Sequence, residues 1–211
     1  MWYATPPNLA IPRHVPQSYV TGRPCEGYVA FVDLRGFTAW TSDRDVGEIQ
    51  ETIAGLEDIF HLIFTGPEFP LLFVKGIGDG LMIVSEVQPP ALSRNCDAVS
   101  FLTASATFVQ AAAARLPPPL GIGAAVSFGP LIQVFLLGQY DYLGETLNQA
   151  SKLQQLAWND VVVSTEFTER LSLERPSAVN LLDGGKRLGE QGVRLDPERL
   201  IRSHRTAGEE A

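Results

Sequence analysis

Cysteine and histidine are both scarce in this 211-residue chain, with two of the first and three of the second. Cys25 and Cys96 follow no metal-ligand or redox spacing, which excludes a disulfide framework, a zinc module and a thioredoxin-like centre. Two ordinary thiols in a reduced, cytoplasmic chain are the expectation. His14, His61 and His204 are scattered without ligand spacing and receive no catalytic role. Basic residues are also in deficit: 16 Lys and Arg stand against 24 Asp and Glu, for a net charge of -8. That balance argues against nucleic acid as a partner, because such binding rests on a clustered excess of positive charge. No apolar run reaches the roughly 18 residues of a membrane span, so no membrane partner is expected. Met1 to Pro24 holds five prolines and no apolar h-region, so it does not read as a signal peptide. There is no internal repeat, and Ala111–Ala114 is the sole low-complexity tract.

What the chain does have is core-forming material, with 45% hydrophobic and 19% charged residues. The expected organisation is a Pro-rich arm over 1–24, one domain over 25–202 and a disordered tail over 203–211. Within the domain, Tyr28–Asp33 reads as a buried strand. Val46–Phe64 carries Ile49, Ile53, Leu56, Ile59, Phe60 and Ile63 at helical spacing. Leu71–Lys75 and Leu81–Val84 flank Gly76-Ile77-Gly78-Asp79-Gly80 as a hairpin with a glycine-rich turn. Ser93–Leu116 is an alanine-rich helix halted by Pro117-Pro118-Pro119. Gly121–Phe128 and Leu131–Leu137 read as two strands turning at Gly129-Pro130. Thr146–Ala157 follows as a helix, Val161–Ser164 as a strand and Thr165–Leu171 as a short helix. The order β-α-β-β-α-β, with additions at the C-terminal end, predicts a ferredoxin-like α+β sandwich.

That topology makes a geometric prediction. The third strand of such a fold lies antiparallel beside the first, so Asp33 at the end of strand one should meet Asp79 in the turn before strand three. Alone, an Asp at a strand end is usually a turn former or helix cap, and a Gly-Asp-Gly turn is usually only a turn. Converging carboxylates are another matter. A hard divalent cation takes one or two carboxylates together with substrate phosphates. A pair of such ions could polarise an α-phosphate and lower the pKa of an attacking hydroxyl.

Several segments, taken in order, resemble a known family. Phe31-Val32-Asp33-Leu34-Arg35-Gly36-Phe37-Thr38 is similar to the first metal motif of class III adenylyl and guanylyl cyclases, and Lys75-Gly76-Ile77-Gly78-Asp79-Gly80 to their second. Gly121–Pro130 resembles the strand pair leading to their dimerisation arm. The run from Tyr140 through Asp141, Asn148 and Lys152 to Leu153 is similar to the third signature, and Val161–Ser164 to the strand after it. The resemblance spans about Tyr28 to Leu171.

The resemblance implies a set of roles. Asp33 and Asp79 bind two Mg²⁺ or Mn²⁺ ions, with the Leu34 carbonyl assisting. The backbone of Gly36, Phe37 and Thr38 cradles the β- and γ-phosphates, as amides at a helix N-terminus can. Lys75 and Asp141 read the base, Asn148 orients the ribose, and Lys152 steadies charge on the α-phosphate. The site is assembled in a homodimer: Asp33 and Asp79 come from one chain, and Lys75, Asp141, Asn148 and Lys152 from the other. Lys75 can only donate and ionised Asp141 can only accept, which fits the ring acceptor and exocyclic amino group of adenine. Cytosine shows the same pattern on a smaller ring, while the Glu that marks guanylyl cyclases at the lysine position is missing.

The implied activity is conversion of ATP to cyclic AMP and pyrophosphate. Two departures stand beside it. Lys152 occupies a position where active members usually carry arginine, and lysine lacks the planar fork that grips two phosphate oxygens. Leu131–Tyr140 is shorter than the usual arm. A nucleotide-binding homology module without turnover, and a cyclase for a pyrimidine nucleotide, are therefore the rival readings. For the C-terminal phosphate contact of the family, Lys186 and Arg194 are candidates. Phe101, Phe108 and Phe135 read as core.

Overall fold

The structure, a computed structural model, describes residues 22–66, 69, 72–87, 96–136, 138–189 and 191–209, with side chains to 203. His14 and Leu71, Leu137 and most of the expected N-terminal arm fall outside the described residues. The chain runs β1 (Gly22–Arg35), α1 (Phe37–Thr41), α2 (Val46–Phe64), β2 (Leu72–Ile77), β3 (Gly80–Glu86), α3 (Ala98–Ala113), β4 (Gly121–Leu136), β5 (Gln139–Leu143) and α4 (Glu145–Gln154). It continues with β6 (Val161–Ser164), α5 (Thr165–Glu174), a 3-10 helix over Pro176–Leu182, β7 (Lys186–Arg187), β8 (Gly192–Leu195) and α6 (Pro197–Glu209).

One sheet organises the molecule, in the order β2-β3-β1-β4-β6-β8-β7 with β5 added on β4. Its first four strands have the expected ferredoxin-like order, and β1 pairs antiparallel with both β3 and β4. Period-two alternation sorts β1 into two faces. Tyr28, Ala30, Val32 and Leu34 enter the main core, where α2, α3, α5 and α6 also bury their apolar sides. Val29 and Phe31 face the other way, into a smaller core with Met82, Leu131, Tyr142 and Leu147 under α4. The same alternation sends Asp33 and Arg35 to the α4 side.

Local signals explain the helix boundaries. Asp45 caps α2 by accepting from the Glu48 amide at 2.9 Å, and an acidic residue three positions after the cap suits the helix N-terminus. Asp97 does the same for α3 with Ser100, at 2.7 Å, and Ser164 for α5 with Phe167, at 3.2 Å.

Four expectations need correction. Gly129-Pro130 is not a turn: β4 is one continuous strand, because the 14-residue β1 pairs with it from Arg35↔Gly121 to Gly22↔Val134. The Pro130 carbonyl there accepts the Thr146 hydroxyl at 2.9 Å. The turn lies further on, at Gly138, and the strand it opens, β5, was not expected. Gly22–Pro24 belongs to β1 rather than to an arm, since Gly22↔Val134 and Pro24↔Ile132 continue the ladder. At the other end α6 carries on as helix through Glu209, past the expected break at Ser203, from a start at Pro197 that suits the first helical turn. Phe101 and Phe108 are core, but Phe135 is only half-buried and packs its ring on Tyr140 at 5.2 Å.

Candidate active site

The β1–β3 register pairs Asp33 with Gly80, the residue after Asp79. This brings the two predicted carboxylates to one edge of the sheet. A Cβ on Gly80 would sit 2.6 Å from the Val32 carbonyl and 3.2 Å from Asp33 Oδ1, so the close approach of β3 to this carboxylate requires glycine. Burial pushes the Asp33 carboxyl above its ordinary range, and the Asp79 carboxylate pushes it further. The Gln154 amide and the Arg35 guanidinium act in the opposite direction. Gln154 Nε2 itself is buried and makes no hydrogen bond of normal geometry.

Lys75 lies on β2 opposite Met82, so its side chain shares the α4 face of the sheet with Asp33. Asp141 is mid-strand in β5, opposite Val134. The β4–β5 hairpin curls over that face, and Tyr142 lies on Phe73 with ring centroids 5.0 Å apart. The two predicted base readers therefore meet: Lys75 Nζ is 2.5 Å from Asp141 Oδ2. Asp141 Oδ1 accepts from the Tyr142 amide at 2.9 Å, which fixes the carboxylate, while Lys75 is 44% exposed.

A cavity of about 840 Å³ gathers these residues. Asp33, Leu34, Asp79, Lys75 and Asp141 all line it, with apolar walls from Ile53 and Phe60 of α2, so Lys75 and Asp141 share a cavity with the carboxylates of their own chain, where the resemblance had placed them in the partner's site. Asn148 and Lys152 do not. They stand one turn apart on the exposed side of α4, where Asn148 touches Glu145 at 3.4 Å and Lys152 has no ion pair among the described residues. Gly36, Phe37 and Thr38 follow β1 directly. Gly36, at φ 79, adopts the left-handed conformation that glycine tolerates, and it precedes α1 without any side-chain cap. The first amides of α1 thus have no acceptor within the helix.

Of the two C-terminal candidates, Arg194 is committed elsewhere: it pairs with Asp160 at 3.2 Å and donates to the Leu156 carbonyl. Lys186 is exposed on β7. Two further centres were given no role by the sequence. Arg35 donates to Asp33 Oδ2 at 2.9 Å and to the Ala157 carbonyl at 3.0 Å, and a third bond goes to the Gln154 carbonyl. Its place two residues from Asp33, on the same face of a strand, is the one signal of this in the sequence. Glu86 is a carboxylate with 7% side-chain exposure, held by Arg23, Gln133 and Tyr142.

No helix among the described residues is long and apolar enough to cross a membrane. Among those residues no three His, Cys, Asp or Glu side chains cluster as a metal cage. Two carboxylates beside an open cavity instead suit a cation that completes its shell with substrate oxygens.

No curated protein matches the chain. Solved structures of similar fold include the catalytic core of a rhodopsin-guanylyl cyclase with converted specificity, in complex with ATPαS. It is 17% identical with a TM-score of 0.61, covering 82% of this chain and 96% of that one. The adenylyl cyclase CyaB from P. aeruginosa is 17% identical with a TM-score of 0.59, covering 82% and 93%. A class III adenylyl cyclase-like ATP-binding protein from Pseudomonas aeruginosa is 15% identical with a TM-score of 0.63, covering 87% of this chain and 41% of that chain. Residues 26–185 match the sequence profile of the adenylate and guanylate cyclase catalytic domain, and the chain belongs to that family.

Proposed function

We propose that this domain is an adenylyl cyclase that closes ATP to cyclic AMP and pyrophosphate in a homodimer. The observation that carries the reading is the convergence of Asp33 and Asp79 at the cavity that also holds the Lys75–Asp141 pair. Asp33 and Asp79 are the ligands for two Mg²⁺ or Mn²⁺ ions, with the Leu34 carbonyl assisting. Bound there, such ions supply Lewis-acid polarisation of the α-phosphate and a lowered pKa for the ribose 3′-hydroxyl. The 3′-hydroxyl gives its proton to solvent, its oxygen bonds to the α-phosphorus, the bond from that phosphorus to the bridging oxygen breaks, and pyrophosphate leaves.

The chain's own residues bind and orient the substrate. The amides of Gly36, Phe37 and Thr38 receive the β- and γ-phosphates. Lys75 and Asp141 turn from each other to the adenine edge, the lysine donating to a ring nitrogen and the carboxylate accepting from the amino group. Asn148 holds the ribose and Lys152 the α-phosphate. Neither lines the cavity of its own chain, which is why the reading requires a second copy: α4 of each chain serves the site of the other. The acidic surface suits a soluble cytoplasmic domain with no nucleic-acid or membrane partner.

The exposed lysine at position 152 favours a second reading, a nucleotide-binding module with little or no turnover. One assay separates these: Mn²⁺ with ATP, GTP, CTP or UTP, products resolved by mass. Cyclic AMP that disappears in Asp79→Ala supports the proposal. A cyclic pyrimidine product keeps the metal carboxylates and overturns the adenine assignment of Lys75 and Asp141. Nucleotide binding without any cyclic product, from a dimeric protein, supports the module.

A further inference from the structure

Arg35 makes three links, and they run to two different places. Its guanidinium is only 16% exposed. One nitrogen holds Asp33 Oδ2, and the other two hold the carbonyls of Gln154, the last residue of α4, and Ala157, which closes the turn after it. The last carbonyls of a helix lack intrahelical donors, and a cation there is favourable both as a donor and against the helix dipole. Arg194 holds the same turn through the Leu156 carbonyl, so the end of α4 is fixed by two arginines.

The asymmetry lies in what each end of Arg35 controls. Asp33 lines the cavity of its own chain, whereas Asn148 and Lys152 are exposed on α4 and do not line it. We propose that Arg35 is a positioning residue that couples the metal carboxylate of one site to the helix serving the other site of the dimer. This rests on the functional reading above. Arg35 and an incoming cation compete for the same Asp33 oxygen, because a carboxylate oxygen committed to a charge-assisted hydrogen bond is a poorer metal ligand. Cation binding at Asp33 frees one arm of the guanidinium, and the end of α4 feels the change. Lysine cannot reproduce this, since a single ammonium lacks the planar fork that reaches a carboxylate and two carbonyls together.

The test uses the dimeric protein and needs no turnover. Mn²⁺ binding is followed by the electron paramagnetic resonance of the free ion, and hydrogen exchange of α4 and its following turn is followed with and without Mn²⁺. In Arg35→Ala, Mn²⁺ should bind tighter, by about five-fold if the competing pair has the strength of a typical partly exposed ion pair. The α4 peptide should exchange faster and no longer respond to Mn²⁺. Arg35→Lys keeps the charge, so its Mn²⁺ affinity should stay near that of the parent while the α4 peptide still loosens. It also serves if the alanine variant does not fold. A purely structural role predicts weaker Mn²⁺ binding alongside the loosening, and that result, or an α4 response to Mn²⁺ that survives in both variants, overturns the proposal. If the parent shows no Mn²⁺ binding that Asp79→Ala abolishes, the functional reading itself falls, and the coupling with it.

Discussion

The α4 face of the sheet holds two part-buried carboxylates, each with an arginine, and they behave in opposite ways. Glu86, at the end of β3, accepts from Arg23 through both oxygens at 2.6 Å, from Tyr142 at 2.5 Å and from Gln133 at 3.0 Å. Burial pushes its carboxyl up, but hydrogen bonds from Arg23 and Tyr142 outweigh that and hold it below the ordinary range. Asp33, at the end of β1, has Arg35 at 2.9 Å but also Asp79 as a neighbour, and its carboxyl is held above the ordinary range. Glu86 is a satisfied structural anion. Asp33 sits in a pair with unmet demand for positive charge. The number of donors and the presence of a second carboxylate, not the arginine, separate scaffold from site.

The comparison breaks most visibly if the wrong carboxylate proves expendable. Asp79→Ala should lower turnover by more than about 100-fold, since even outer-shell changes at metal sites cost 10–100-fold. Its thermal midpoint should be unchanged or higher, because a like-charge neighbour of Asp33 is removed. Glu86→Ala should do the reverse. Leaving Tyr142 and the half-exposed Arg23 without their partner should cost about 2 kcal/mol of stability in urea unfolding, while the folded fraction keeps its turnover within a few-fold. Tyr142→Phe, which deletes one donor to Glu86, should cost about 1 to 2 kcal/mol. The smallest effect is in pH. Folding stabilises the ionised form of Glu86, so its contribution is complete above about pH 4.5, its ordinary value, and is lost as acid takes the folded carboxyl through its lowered pKa. Glu86→Gln should flatten that part of the stability profile relative to the parent, and an unchanged slope would remove Glu86 from the account.

The sequence showed the two converging carboxylates more readily than the scaffold that orients them. Asp33 and Asp79 could be read because each sits at the end of an apolar strand run, and the β-α-β-β-α-β order alone dictates that those ends converge. The β4–β5 hairpin was misread because Gly129-Pro130 is a strong local turn signal, while pairing along the full length of β1 keeps the strand straight through it. β5 itself, Gln-Tyr-Asp-Tyr-Leu, is short and polar at alternate positions, and its burial comes from Phe73 on β2, which no local pattern reveals. Arg35 was visible as a letter in a motif but not as a link, since its carbonyl partners lie 119 and 122 residues away. The same long separation hid the Glu86 network, whose members come from β1, β3, β4 and β5.

The central claim is a shared site: carboxylates from one chain and α4 from the other. Mixing Asp33→Ala with Asn148→Ala chains tests it most directly, because both lesions then fall in the same site of a mixed dimer and leave the other intact. Each variant alone should be inactive. An equal mixture should recover about a quarter of the parent's cyclic AMP formation, from the half of dimers that carry one whole site. A mixture that forms mixed dimers yet stays as inactive as its components would contradict the account, and would place Asn148 and Asp33 in the same chain's site or in no site at all.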